Sequence, residues 1–317
     1  MSNDQKPRPG VRFITVSADE AGQRLDNYLL RSLPGVPKTR IYRAVRKGEV
    51  RVNKSRAKAE TRLDAGDQIR VPPISVTERR DAGQVPSQWA ERIRRAIVLD
   101  RPELMVINKP TGLAVHGGSG VSVGLIESLR KLYPEQRYME LVHRLDRDTS
   151  GLILVAKKAS VLRDLHAQLR GDKMDKRYLA LVAGKWPAHT RLVNAPLEKI
   201  SLKSGERMVR VAAGGRPSKT AFRVIERFPG ATLIEAKPIT GRTHQIRVHS
   251  LHVGHPILGD AKYRFDESDA LTVSLGLKRL FLHAAALSFT VGDETISLEA
   301  PLDEELTSVC DALRSRR

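Results

Sequence analysis

Nine residues, His143-Arg144-Leu145-Asp146-Arg147-Asp148-Thr149-Ser150-Gly151, concentrate more reactive groups than any other stretch of this chain. They run directly into Leu152-Ile153-Leu154-Val155-Ala156, whose five aliphatic side chains after a glycine predict a buried strand. A carboxylate at the mouth of such a strand is held rigidly. Asp146 lies in sequence between Arg144 and Arg147, cations that favour its charged form. It therefore reads as a nucleophile or base for an electrophilic carbon, not as a proton donor.

Two other segments carry groups that suit the same task. Lys176-Arg177-Tyr178-Leu179-Ala180-Leu181-Val182 puts a tyrosine at the head of an apolar strand behind two cations, in a chain only 4% aromatic. An aromatic face beside cations is a platform for an unpaired base. A core tyrosine with a tethered hydroxyl is an equally good reading of the local sequence. In Lys237-Pro238-Ile239-Thr240-Gly241-Arg242-Thr243-His244-Gln245-Ile246-Arg247-Val248-His249, Gly241 and Thr243 read as a loop and N-cap opening a helix, whose free amides attract phosphate or carboxylate. Arg242 strengthens that preference. Arg247, on the first turns, can reach a carboxylate on a neighbouring loop, although a purely structural ion pair is the commoner use of such an arginine.

Other patterns are weaker. His244, His249, His252 and His255 invite a zinc reading, but no carboxylate or thiol is interposed at ligand spacing, so phosphate contact or helix packing is expected and metal is not. Asn108-Lys109-Pro110-Thr111-Gly112 continues into a glycine-rich run to Gly120 that lacks the spacing of nucleotide-binding loops; it is expected to be a flexible wall of the site. Asp146 and Asp148 sit two apart in one loop, which does not suit a glycosidase acid/base pair facing across a bond. Asp148 is expected to close an Asx turn before Thr149 and Ser150.

The elements that must position these groups can be read along the 317 residues, a length that accommodates a large domain and a small one. Composition is that of a folded globular protein, 40% hydrophobic and 29% charged. The 55 Lys and Arg against 36 Asp and Glu, a formal charge of +19, point to a polyanionic partner, nucleic acid first. Residues 1–80 supply 18 of the cations against 9 acidic residues. There Arg24–Leu30 predicts one helix, broken near Leu33-Pro34-Gly35-Val36-Pro37. A second is capped by Thr39, with Arg40, Arg43 and Lys47 along one face and Ile41, Ala44 and Val45 turned inward. Short strands at 50–52 and 67–71 flank a basic loop. Lys38, Arg40, Arg43, Lys47, Lys54, Arg56 and Lys58 are the candidate RNA contacts; a merely solvated face is the bland alternative for any one of them.

The expected organisation is a flexible tail at 1–21, a small basic α/β module at 22–75, a linker at 76–96 and a large domain at 97–317. In the large domain a hairpin opens at 97–108. Strands follow at 152–156, 178–183, 220–225, 231–237 and 284–289, with helices at 121–132, 158–169 and 243–253. This predicts an α+β fold, a mixed, mainly antiparallel sheet with flanking helices. One cysteine, Cys310, excludes intrachain disulfides and suggests the reducing cytoplasm. No apolar run is long enough for a bilayer, and neither a secretory leader nor a membrane-surface helix is expected.

In its Arg24-Leu25-Asp26 opening, Gly48-Glu49-Val50 turn and Val52-Asn53 strand end, the module resembles the RNA-binding domain first recognised in ribosomal protein S4. The larger domain resembles the pseudouridine synthases of ribosomal and transfer RNA. That likeness rests on Asn108-Lys109-Pro110 with Gly112, His143-Arg144-Leu145-Asp146 with Thr149-Ser150-Gly151, Lys176-Arg177-Tyr178, and Gly241-Arg242-Thr243-His244-Gln245-Ile246-Arg247. His255-Pro256-Ile257, Gly259-Asp260 and Leu282-His283-Ala284 add to it.

The resemblance implies isomerisation of uridines in large-subunit (23S) ribosomal RNA or a pre-ribosomal particle, by a single chain, without cofactor or metal. It implies Asp146 as the essential aspartate, Tyr178 against the base, Arg247 as the partner of Asp146, and Arg144 supporting the loop or expelling the base. Asp146 would either attack ribose C1′ or remove the 2′ proton to leave a glycal. The competing readings are an inert ribosome-assembly RNA-binding protein and a histidine-dependent metal hydrolase.

Overall fold

The computed structural model describes residues 10–33, 36–74, 85–117, 123–201 and 207–316. The module begins earlier than expected. Strand β1 (Arg12–Thr15) forms one edge of a sheet, and a 3-10 turn (Ala18–Glu20) leads to α1 (Leu25–Ser32) and α2 (Lys38–Arg46). Strands β2 (Arg51–Val52), β3 (Ser55–Arg56) and β4 (Gln68–Val71) complete an antiparallel sheet in the order β1-β4-β2-β3. The expected tail at 1–21 is thus corrected for residues 12–20: Ile14 and Val16 add to the module core, which is centred on Leu25, Tyr28, Leu29, Ile41, Leu63 and Ile69. Residues 1–9 lie outside the described residues, as do Pro34 and Gly35 at the expected helix break.

Two details of α2 also differ. Pro37, not Thr39, is its N-cap, since a fixed φ suits the start of a helix. Arg40 donates to Glu49 at 2.8 Å and is only half-exposed, whereas Arg43 and Lys47 stand in solvent. The cationic ridge exists without one of its three expected members.

The segment expected as a linker at 76–96 ends in a helix, α3 (Ser87–Arg95), whose Ile93 is fully buried in the large core. Its remainder through Gln84 lies outside the described residues. Then come β5 (Ile97–Asp100), β6 (Leu104–Lys109), α4 (Leu125–Leu132), β7 (Glu140–Leu141), β8 (Ser150–Ala156), α5 (Ala159–Arg170) and β9 (Asp175–Ala183). After these lie β10 (Leu192–Asn194), β11 (Leu197–Ser201), β12 (Arg207–Val211), β13 (Lys219–Phe228), β14 (Ala231–Pro238) and α6 (Gln245–His252). The chain closes with α7 (Asp266–Ser274), β15 (Leu282–Val291), β16 (Glu294–Glu299) and α8 (Glu304–Arg314).

Ten of these strands form one mixed sheet in the order β10-β13-β14-β9-β15-β8-β6-β5, with β16 on β15 and β7 on β8; β11 and β12 pair separately. Every residue of β8 is buried, and the reason is visible in its alternation. Ile153 and Val155 face one core with Met105 and Ile107, while Leu152, Leu154 and Ala156 face a second with Leu104 and Val106. A strand covered on both sides favours apolar residues throughout, and its one polar member, Ser150, is hydrogen-bonded to His283 Nδ1 at 2.8 Å. The pairing of β8 with β15 is parallel, His283 opposite Ser150 and Ala284 opposite Gly151. Gly151 has φ +108°, and a Cβ there would fall 2.3 Å from the Ala284 carbonyl oxygen, so the join needs glycine.

The module docks through Arg31. Its guanidinium lies between the rings of Tyr28 and Tyr138, 5.3 and 5.1 Å from their centroids, pairs with Glu20, and donates to the Arg137 carbonyl at 2.9 Å. Aromatic faces on both sides of a cation favour this buried geometry.

Candidate active site

Asp146 sits in the loop between β7 and β8, its side chain 19% exposed. Leu145 and Thr149 are buried and pin the loop on either side, and the Thr149 amide donates to the Asp146 carbonyl at 3.2 Å. Beneath the loop lies Lys109, fully buried at the end of β6. Its ammonium donates to the carbonyls of Pro110, Leu113 and Arg147 at 3.0, 2.9 and 3.0 Å. The Gly112 amide also donates to the Arg147 carbonyl, and the Thr111 hydroxyl to that of Asp148, both at 2.9 Å. The Asn108–Gly112 segment is therefore a brace for the aspartate loop, not the flexible wall expected; Gly118 to Gly120 fall outside the described residues. Burial pushes the Lys109 ammonium down to about 7, against the opposing charges of Asp148 and Asp146.

The cations nearest in sequence are not those nearest in space. Arg147 pairs with Asp148 at 3.0 Å, which also replaces the expected Asx turn, and exposed Arg144 has no carboxylate partner among the described residues. Asp146 is met instead by Arg247 of α6, whose Nη1 is 3.4 Å from Oδ2. Arg247 is itself clamped by Asp260, which accepts from Nε and Nη2 at 2.7 Å each, and lies 4.9 Å from the centroid of the Tyr263 ring. Although burial opposes its charge, the Asp260 hydrogen bonds, reinforced by the charges of Asp260 and Asp146, hold its pKa above the ordinary value.

His244 completes this wall. It is the N-cap of α6 with φ +53°, so Thr243 is not the cap, and the Arg242 amide donates to Gln245 Oε1 at 3.0 Å instead of standing free for phosphate. Its Nδ1 is 2.7 Å from the Tyr263 hydroxyl, which accepts from the Val209 amide at 2.9 Å. With that amide donating to its oxygen, the Tyr263 hydroxyl is placed to donate to Nδ1, and a neutral ring so bonded carries its proton on Nε2, 3.8 Å from Asp146 Oδ2. Burial lowers the His244 pKa, with the Asp146 charge opposing, and so favours that neutral ring.

Tyr178, on β9, is 9% exposed and shares a cavity with Asp146. Burial first, then the Asp146 charge, raises its phenol pKa and keeps it protonated. The cavity, about 510 Å³, is lined by Arg144, Asp146, Tyr178, Arg242 and Arg247 together, so all five expected site residues of the large domain converge there. Arg242 anchors on the Pro217 carbonyl at 3.3 Å. Sequence reading named the Lys109 and Asp260 segments without their structural roles, and overlooked Tyr263. Gly259 beside Asp260 was a usable signal, since its φ of +75° brings it against the Arg279 carbonyl.

The histidines are separately employed. His249 contacts the Thr220 hydroxyl at 2.9 Å and the Ala195 carbonyl at 3.0 Å, and His255 contacts the Ala183 carbonyl at 2.7 Å. Among the described residues no group of three or more potential ligands gathers for a metal.

A carboxylate held by an arginine, beside a buried aromatic ring in a cavity roomy enough for a nucleotide, has the parts to act on a sugar while its base is held. The chain is 56% identical over 310 residues to the ribosomal large subunit pseudouridine synthase C of Yersinia pestis, covering 96% of this chain and 97% of that one. It belongs to the RNA pseudouridine synthases. The family model for RNA pseudouridylate synthase matches residues 103–252, and the S4 domain model residues 23–69. The Escherichia coli K12 synthase C is 54% identical over 314 residues, with 98% of each chain covered. Human RNA pseudouridylate synthase domain containing 4 superposes with a TM-score of 0.60 at 26% identity, covering 72% of this chain and 96% of its own. As a pseudouridine synthase the chain is an isomerase: uracil leaves ribose C1′ through N1 and returns through C5. No helix among the described residues is long and apolar enough to cross a membrane.

Proposed function

We propose that this synthase acts on uridines of large-subunit ribosomal RNA, with Asp146 as the group that works on the ribose. The observation that carries the reading is the Arg247–Asp146 contact at the wall of the cavity that also holds Tyr178. A uridine in folded RNA must leave its stack to enter such a cavity, at a cost of a few kcal/mol. Tyr178 offers a face for the extruded uracil, and Arg144, lacking a carboxylate partner, is free to hold the strand open. Arg242 guards the phosphate side of the rim. The names of the relatives and the S4 match support ribosomal RNA as substrate. Lys38, Arg43, Lys47, Lys54, Arg56 and Lys58 are assigned to RNA affinity, with Arg40 subordinate because Glu49 already engages it.

Asp146 can attack C1′, forming an ester that is later reversed, or take the 2′ proton to give a glycal. Deuterium at C2′ gives a primary isotope effect on the second route and only a small secondary one on the first. The test of the whole reading is pseudouridine mapping on ribosomal RNA from cells lacking this gene, complemented with wild type or Asp146→Asn. Restoration by wild type alone is expected; restoration by both overturns the assignment of Asp146, and restoration by neither overturns the substrate.

A further inference from the structure

One row of side chains crosses all four strands of the module sheet. Antiparallel pairing sets Phe13 opposite Arg70, Arg70 opposite Arg51, and Arg51 opposite Arg56. Directly paired residues project from the same face. The adjacent row, Ile14, Ile69 and Val52, points into the module core against Ile41, Ala44 and Val45 of α2, so the Phe13 row points away from it.

That outward row has an unusual composition. Phe13 is the most exposed phenylalanine at 67%, with Phe265 at 45%, whereas Phe222, Phe228, Phe281 and Phe289 are all buried. Arg70 donates to the Glu49 carbonyl at 2.9 Å and Arg51 to the Lys54 carbonyl at 3.1 Å, contacts that fix both side chains yet leave other N–H groups. None of the three arginines has a carboxylate partner among the described residues. An aromatic face ending a line of unneutralised guanidinium groups matches a nucleotide chain, with base on ring and phosphates on cations. Four strands span roughly 14 Å. Other four-stranded RNA-binding sheets hold two or three bases in this way.

We propose that the outer face of this sheet is an RNA-binding surface distinct from the cationic ridge of α2. It stacks an unpaired base on Phe13 and grips the adjoining phosphates with Arg70, Arg51 and Arg56. The inference rests on the RNA reading above. The sheet surface adjoins the end of the α2 ridge, where Arg70 and Arg56 lie against Glu49 and Gly48, so one RNA can run from the sheet onto the helix. Arg56 belongs to the sheet row.

The test uses the full chain with Phe13→Trp and Phe13→Leu, both at a solvent-facing position, and two probes: single-stranded oligouridylate and a blunt RNA duplex of equal length. Oligouridylate is expected to quench the indole introduced by Phe13→Trp more strongly than the duplex does. Phe13→Leu is expected to weaken oligouridylate binding about tenfold while Phe13→Trp preserves it. Unchanged affinity in Phe13→Leu overturns the proposal, as does equal quenching by the duplex. Polyglutamate binding as tight as oligouridylate also overturns it, in favour of an acidic protein partner. Loss of the RNA-isomerase reading is registered separately, as wild-type protein that forms no pseudouridine in ribosomal RNA.

Discussion

Arg247 and Arg43 both offer a guanidinium to an anion, and they are held in opposite ways. Arg247 is 5% exposed and fixed by the two hydrogen bonds it donates to Asp260, by the Tyr263 face and by Asp146. Arg43 stands in solvent on α2. The contrast extends to their surroundings: the pocket uses charge pairs removed from water, where geometry is rigid and a missing partner is costly. The module surface uses hydrated charges that adapt to phosphates and act mainly through their number. Chemistry on one carbon atom needs the first arrangement, and holding a large folded RNA is served by the second.

The largest effect is expected from Asp146→Asn, which removes the carboxylate proposed to act on the ribose and keeps its shape. Turnover should fall by roughly three orders of magnitude or more, while filter-binding affinity for ribosomal RNA stays within about twofold of wild type. A parallel loss of affinity would mean that the pocket contributes to holding RNA as well. Next comes Asp260→Asn, which leaves Arg247 buried beside a single carboxylate. Breaking a buried pair in this way costs about 3–5 kcal/mol. A lowered melting temperature with a reduced kcat and near-normal KM is expected, and calorimetry with steady-state kinetics reads both.

Acid should weaken the scaffold before it weakens the RNA-binding surface. His249 and His283 are 0% and 1% exposed, and desolvation lowers both pKa values below the ordinary 6.5, so the folded chain binds fewer protons than the unfolded one. Their contribution is therefore complete above pH 6.5 and is lost as pH falls below it. Melting followed from pH 7 to 4.5 should show this decline, with a shallower slope in His249→Gln. An identical slope would remove His249 from the account.

On the module, Arg43→Glu with Lys47→Glu should lower the slope of log affinity against log salt by about two with kcat at saturating RNA unchanged. The smallest effect is assigned to Arg40→Gln, since Glu49 already holds that guanidinium. A loss larger than that of Arg43→Gln would erase the distinction between paired and free cations on α2.

The strongly patterned parts of this architecture were legible in the residues. The aliphatic run after Gly151, the long strands at 175–183 and 219–238, and helix α5 follow from apolar periodicity, and the five pocket residues were found from chemistry and motif together. Strand β1 escaped because four residues behind a Pro-rich, polar start carry too short an alternation. Strands β10 to β12 are short and partly exposed, and α7 has little apolar contrast between its faces. Reading Arg144 and Arg147 as the cations of Asp146 failed for a different reason. Neighbours along a loop diverge, while Arg247, 101 positions away, is delivered by a helix from the far side of the pocket. Lys109 was misjudged because local glycines suggest mobility, and only tertiary packing reveals three carbonyls converging on one ammonium.

The place of β15 in the sheet sets the timetable of assembly. This segment, 282–291, inserts between β9 and β8, which end and begin the two halves of the sheet. A nascent polypeptide halted before residue 282 has two open edges where β15 belongs and lacks the lateral support that Ala284 gives Gly151 just past the aspartate loop. The module, which precedes these strands in the chain, can meanwhile close its own core. The module can thus be complete while the loop of Asp146 still lacks the strand that supports it, and the pocket gains its full frame only when residues 282–291 join the sheet.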